Sequence, residues 1–219
     1  QITYIKIPAT VTDMSYASPL VEPTSSLNGC RNLETIEFEN GITTIPAYAV
    51  AGVQSLKRVI LPSSVTTISK EAFYKDKKLE NIEFPKSLKT IGSSAFYGCV
   101  SLKNISFNEE LISIESYAFS GCSSITSIRL PSKLKTLGIT AFEGTQITYV
   151  KIPATITDMR YPVSGAGSVG AFSGCKKLET IEFENGITTI PSYGVAGISS
   201  LKKVILPSSV INIDSGAFW

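Results

Sequence analysis

Apolar residues recur along this chain at fixed offsets inside a unit of about 23 residues. Units start at Ile2, Leu33, Leu56, Leu79, Leu102, Ile125, Ile147, Leu178 and Leu201. Three residues after each start stands Ile or Val, and five after stands Ile, Leu or Phe. Nine after, the residue is Ile, Leu or Val; twelve after, it is Ile, Leu or Met. No polar residue enters these columns. Apolar positions at +3 and +5 with Thr, Glu, Lys or Asn between them give the two-residue period of a half-buried strand. Pro stands at +6 in six of the nine units and ends that strand, because it has no N–H for a ladder. The pair at +9 and +12 predicts a second short extended segment. An Ala-Phe pair follows, as at Ala72-Phe73, Ala95-Phe96, Ala118-Phe119 and Ala141-Phe142, often with Gly soon after. That spacing leaves room for one helical turn, 3₁₀ or α.

A longer echo overlies the short one. Leu33–Pro46 and Leu178–Pro191 are the same fourteen residues. Laid over residues 146–219, residues 1–74 agree at 46 of 74 positions, with a constant offset of 145. The unit starts are separated by 31, 23, 23, 23, 23, 22, 31 and 23 residues, so the offset of 145 is six units. Repeats of this period make stacked, quasi-one-dimensional structures, because a single unit cannot close a core. The expected fold is a solenoid of about nine units with a parallel sheet on one face and short strands and turns elsewhere. At roughly 4.8 Å per rung it forms a curved rod roughly 40 Å long. Each column becomes a ladder of like side chains, so copying a block of units keeps every residue in its old surroundings. The expected organisation is one domain over residues 1–219, part of a longer array, since the pattern is already running at both ends.

The stretch from Leu79 to Leu102 reads L-x-x-I-x-F-P-x-x-L-x-x-I-x-x-x-A-F-x-G-C-x-x-L. It resembles the BspA-like class of leucine-rich repeats, and the likeness covers essentially the whole chain. Common leucine-rich repeats place Asn or Cys where a side chain bonds the turn backbone. Here that stretch reads Pro followed by Ser or Lys, so short turns are expected in place of long helices. The resemblance implies a bacterial or protist cell-surface or secreted protein with a part in adhesion. The leading reading is a binding module without chemistry.

Composition narrows the function classes. The apolar fraction of 43% and charged fraction of 17% belong to a folded chain. A net charge of +2 with no run of Lys and Arg longer than two residues offers nothing to nucleic acid. No apolar run approaches the roughly 20 residues that cross a bilayer, so no membrane insertion of this segment is expected. There is no histidine, which removes the usual general base near neutral pH and the commonest metal ligand. No enzyme activity, cofactor or metal site is expected.

Cys30, Cys99, Cys122 and Cys175 share the G-C-x-x-L column. Cys99 and Cys122 are one rung apart, within reach of a disulfide. A small buried apolar residue is the preferred reading, because side chains in a ladder run parallel. Outward carboxylates at +4, such as Glu37, Glu83 and Glu182, could suggest a pair for glycoside hydrolysis. Lys6 beside Glu37 and Lys151 beside Glu182 point instead to cross-strand charge pairing on a solvated face.

The outward +2 and +4 columns carry the partner-binding candidates: Tyr149, Lys151, Arg129 and Glu182, with Tyr4, Lys6 and Glu37 repeating the outline six units away. Tyr and Arg are enriched in binding hot spots. The expected partner is an extracellular protein or glycan. Two insertions, over residues 15–26 and 160–170, add about eight residues each and compete for that role as loops on a rigid scaffold. The alternative to a binding module is a structural spacer that holds another domain away from the cell.

Overall fold

The computed structural model describes residues 2–16, 24–157, 159 and 169–219. The predicted front strands pair in parallel, each with its counterpart one unit away. Tyr4–Ile7, Thr35–Phe38, Arg58–Ile60 and Asn81–Ile82 form one four-stranded sheet, in which Ile5, Ile36, Val59 and Ile82 stand side by side. Tyr149–Ile152, Thr180–Phe183 and Lys203–Ile205 form a second sheet of three strands. The +9/+12 segment makes its own ladder through Thr44–Ile45, Thr67–Ile68, Thr90–Ile91, Ser113–Ile114 and Thr136–Leu137. Thr189–Ile190 and Asn212–Ile213 pair in the same way. The strands are short because each is bounded by Pro or by the tight turn that follows.

The Ala-Phe segment closes the third side without a helix, and no helix occurs among the described residues. In the unit from Leu79, Ala95 N–H donates to Gly92 O and Tyr97 N–H to Ser94 O, which are the i to i+3 bonds of a helical turn. The alternate amides leave the unit: Ser94, Phe96 and Gly98 donate to Ser116, Ala118 and Ser120 of the next one. The alternation requires left-handed residues at two places per turn, here Ser94 (φ 56°) and Gly98 (φ 70°). The same two columns hold Tyr48, Glu71, Tyr117, Thr140 and Tyr193 in one, and Lys75 beside the glycines in the other. Left-handed residues stop a helix from propagating. The bonds to the next unit supply the compensation.

The core is the set of columns foreseen. Phe73, Phe96, Phe119, Phe142 and Phe172 stack face to face at successive spacings of 5.0, 5.1, 5.4 and 5.6 Å. Phe84 and Phe107 stack beside them and meet Phe96 and Phe119 edge-on. Offset-stacked and edge-on contacts are the favoured ring geometries. Hydroxyls stitch the units together. Ser87 Oγ donates to Val65 O, Thr155 Oγ1 to Leu134 O and Ser209 Oγ to Ile187 O. Ser55 and Ser200 do the same at the next turn, on Leu33 O and Leu178 O. These Ser and Thr side chains bond the turn backbone as Asn or Cys does in commoner leucine-rich repeats.

The four cysteines are free thiols. Cys99, Cys122 and Cys175 are buried, and each donates to the carbonyl of the aromatic residue one unit back: Phe73, Phe96 and Phe142. Burial pushes the Cys99 and Cys122 thiols well up, and that of Cys175 to about 11. In the same column, Asp76 is wholly buried. Its Oδ1 accepts from Val53 N–H at 2.8 Å, and its Oδ2 has no partner. Burial raises its pKa well above 3.8.

One expected ladder is interrupted. The +2 to +5 segments of the units from Leu102 and Ile125 form no strand. Asn104 takes a left-handed φ of 53°, and among the described residues no backbone hydrogen bond joins 104–107 to 127–130. Ile105 stays buried and Ile128 packs on the core, so the side chains keep their places while the front backbone is unlaced. Asn108, where six other units have Pro, instead donates its side-chain amide to Pro85 O and Leu88 O. Of the two insertions, residues 17–23 and 160–168 lie outside the described residues. The chain flanking the first forms an antiparallel pair, Ser15–Tyr16 with Thr24–Ser25.

Candidate functional site

The strand register sets Tyr4 opposite Thr35 and Lys6 opposite Glu37. From there the Tyr4 hydroxyl donates to Glu37 Oε2 at 2.7 Å, and Lys6 Nζ lies 3.2 Å from Oε1. The second copy repeats this: Tyr149 donates to Glu182 Oε2 at 2.7 Å, and Lys151 lies 3.0 Å from Oε1. Each glutamate thus holds a tyrosine with one oxygen and a lysine with the other. The tyrosine bond, then the lysine, keeps Glu37 and Glu182 below the usual carboxylate range. The same bond pushes Tyr4 and Tyr149 above theirs. The tyrosines therefore stay neutral and the glutamates charged across the physiological range. Tyr4 and Tyr149 are 48% and 43% exposed, enough for a ligand to reach a ring face.

The four residues expected to make one patch do not all meet. Tyr149, Lys151 and Glu182 form the cluster. Arg129 points back along the rod to Glu109, 2.9 Å away, in the unit before its own. Glu109 is fixed by Ser132, whose amide and hydroxyl donate to it at 3.0 and 2.9 Å. Those bonds, more than Arg129, hold the Glu109 carboxyl low. Arg129 nevertheless shares with Tyr149 and Lys151 the rim of an open hollow of about 320 Å³. Ile128, Leu130 and Pro153 line it, and Ser132 and Glu184 complete it. It sits where the front ladder is unlaced. A second hollow, about 560 Å³, lies beside the first cluster and is lined in part by Lys6, Glu37, Ile60 and Pro62.

Sequence reasoning missed Glu109, Glu184 and Ser132. Their signal was present in the 23-residue spacing of Glu109 and Ser132, which puts the pair on adjacent rungs. It also missed the stack of Tyr74 on Tyr97 on the turn side, at 5.1 Å. Among the described residues, no group of three or more His, Cys, Asp or Glu is placed to hold a metal ion. No helix long and apolar enough to cross a membrane occurs among them.

The family model for the BspA type leucine rich repeat region matches residues 1–92, 53–163 and 168–219. The chain belongs to this family. Among solved structures it is similar to a leucine rich repeat protein of T. pallidum, with 28% identity and a TM-score of 0.61 over 76% of this chain and 77% of that one. A leucine-rich repeat protein of Bacteroides ovatus matches over 97% of this chain and 71% of its own, at 21% identity and a TM-score of 0.57, and shares the fold. A leucine rich cell surface protein of Faecalibacterium prausnitzii overlays more loosely, with a TM-score of 0.48 at 24% identity over 87% of this chain and 62% of that one. No curated protein matches the chain.

Proposed function

We propose that this BspA-type array is a binding module without catalytic chemistry, part of a bacterial cell-surface or secreted protein that adheres to an extracellular protein or glycan. The observation that carries this reading is the Tyr-Glu-Lys cluster, built twice with the same bonds on the outward face of the front sheets. Such a cluster is already ordered before a ligand arrives, which lowers the entropic cost of association. An exposed aromatic with mixed charges beside it has the composition of a hot spot. The hollow beside Tyr149 adds apolar surface next to the polar cluster. A spacer is the second reading, favoured by the hydroxyl stitches and ladders that make the stack a rod.

The test is a binding screen of the protein against matrix proteins and glycans. Tyr149→Ala with Lys151→Ala should weaken the binding found by at least tenfold, about 1.4 kcal/mol, and leave the melting curve nearly unchanged. Binding that survives this change and is lost on deleting residues 160–170 would move recognition to the insertion. An absence of any ligand across the screen would favour the spacer.

A further inference from the structure

The twin clusters are related by translation along the rod, and that relation restricts the ligand. We infer that the front face binds a linear, uncharged polysaccharide lying along the rod and engaging both Tyr-Glu-Lys clusters at once. The inference rests on the front-face reading above and specifies its ligand.

The first argument is chemical. Each glutamate uses one lone pair per oxygen, and each lysine one of its three N–H donors. Each cluster therefore still offers acceptors, donors and a half-exposed aromatic face within one small area. A pyranose presents hydroxyls that both donate and accept, with a C–H face that packs on an aromatic ring. Lys6, Lys151 and Arg129 are already paired with Glu37, Glu182 and Glu109, so the clusters themselves hold out no unpaired cation to a polyanion.

The second argument is geometric. Both sites are open, so a small sugar would bury little of itself at either and a ligand must gain from both. Six rungs separate the clusters, roughly 30 Å at the spacing of stacked strands. Successive phenylalanine rings of the core repeat at a similar step, 5.0 to 5.6 Å. An extended β-linked polysaccharide advances by close to one rung per sugar, so its contacts stay in step with the +2 and +4 columns. An extended peptide advances about 3.3 Å per residue and repeats its faces every ~6.6 Å, so it drifts out of step.

The test uses the intact protein and neutral linear β-glucans, β-mannans and xylans, each as a graded series of chain lengths. Hyaluronan, heparin and extended peptides serve as comparisons. At least one neutral polymer should bind, with affinity rising tenfold or more once the chain can bridge the two clusters, as expected of linked binding events. Tyr4→Ala and Tyr149→Ala should each abolish that rise and leave the short-chain affinity. The two together should abolish binding at an unchanged melting temperature. Binding of charged polymers or peptides alone, affinity independent of length, or binding that survives both tyrosine changes would overturn the inference. A protein ligand lost on Tyr149→Ala with Lys151→Ala, with no polysaccharide bound, would sink the polysaccharide and spare the front face. Binding that depends on residues 160–170 would sink the front face itself.

Discussion

Replacing Asp76 by Cys should make the protein more stable, and increasingly so as pH rises. Asp76 is wholly buried in a column that elsewhere holds Cys, Val, Thr or Ile, and Oδ2 has no partner. An unsatisfied buried polar group costs about 1–3 kcal/mol. A thiol at this position can donate one unit back, as Cys99 does to Phe73 O, and by the same offset the acceptor is the Val50 carbonyl. Val53 N–H loses the Asp76 oxygen but keeps its bond to Val50 O at 3.2 Å. The gain should be about 1–3 kcal/mol, and each kcal/mol should raise the melting temperature by about 2–4 °C for a chain of this length. Its pH dependence has a definite sign. The folded pKa of Asp76 is raised by burial above the unfolded value of about 3.9. The folded state therefore binds the extra proton between the two values. Its contribution is fully present below about pH 4 and is lost as pH climbs through the folded pKa. The advantage of Asp76→Cys should accordingly be smallest near pH 4 and grow toward neutral. Chemical denaturation of both proteins across that range, in reductant, measures the difference directly and cancels titrations they share. A variant less stable at every pH, or an advantage that does not change with pH, would refute the reasoning.

Other outcomes follow from the same packing. Phe96→Ala removes a ring stacked on both Phe73 and Phe119 and should cost about 3–5 kcal/mol in a denaturant melt; a loss below about 1 kcal/mol would mean that the column tolerates a gap. Thiol titration of the native protein should show Cys99, Cys122 and Cys175 reacting slowly and half-buried Cys30 faster, with four thiols in denaturant; fewer than four without reductant would reveal a disulfide. A Cβ at Gly138 would collide with the backbone of Glu115 and Ser116, so Gly138→Ala should destabilise by about 1–3 kcal/mol. Gly29→Ala, where nothing lies within 4 Å, should stay within about 0.5 kcal/mol of the parent.

The ladders were legible because a stacked repeat shows each residue's neighbour in the sequence itself, one period away. Ile36, Val59 and Ile82 fall side by side on the repeat alone, and so do Lys151 and Glu182. The turn was half legible. Ala95-Phe96 before a glycine announced a tight turn, but the bonds of Phe96 and Gly98 to the next unit replace the continuation of a helix. The break in the front ladder was not legible from residue type. Asn104 is left-handed, whereas Asn81 in the same column stays in a strand. Asn tolerates the left-handed region, and the surroundings decide. Arg129 was placed on the right face, but its direction depended on Glu109 and Ser132, outside the columns that define the repeat.

The unlaced front backbone bears on how the rod deforms. A beam tied along all its edges resists flexure in every direction; one tied along two bends about the line joining them. From 81–84 through 104–107 and 127–130 to 149–152 no front ladder forms among the described residues, while the second ladder continues from Thr90 through Ser113 to Thr136 and the turn amides still cross between units. Compliance is therefore concentrated in one stretch of the rod, on one side. The two Tyr-Glu-Lys clusters lie on opposite sides of that place, so flexing it changes the distance between them while leaving each intact. The array behaves as a pair of calipers with a built-in joint, and its span is the mechanical variable that shear or tension on the protein would alter.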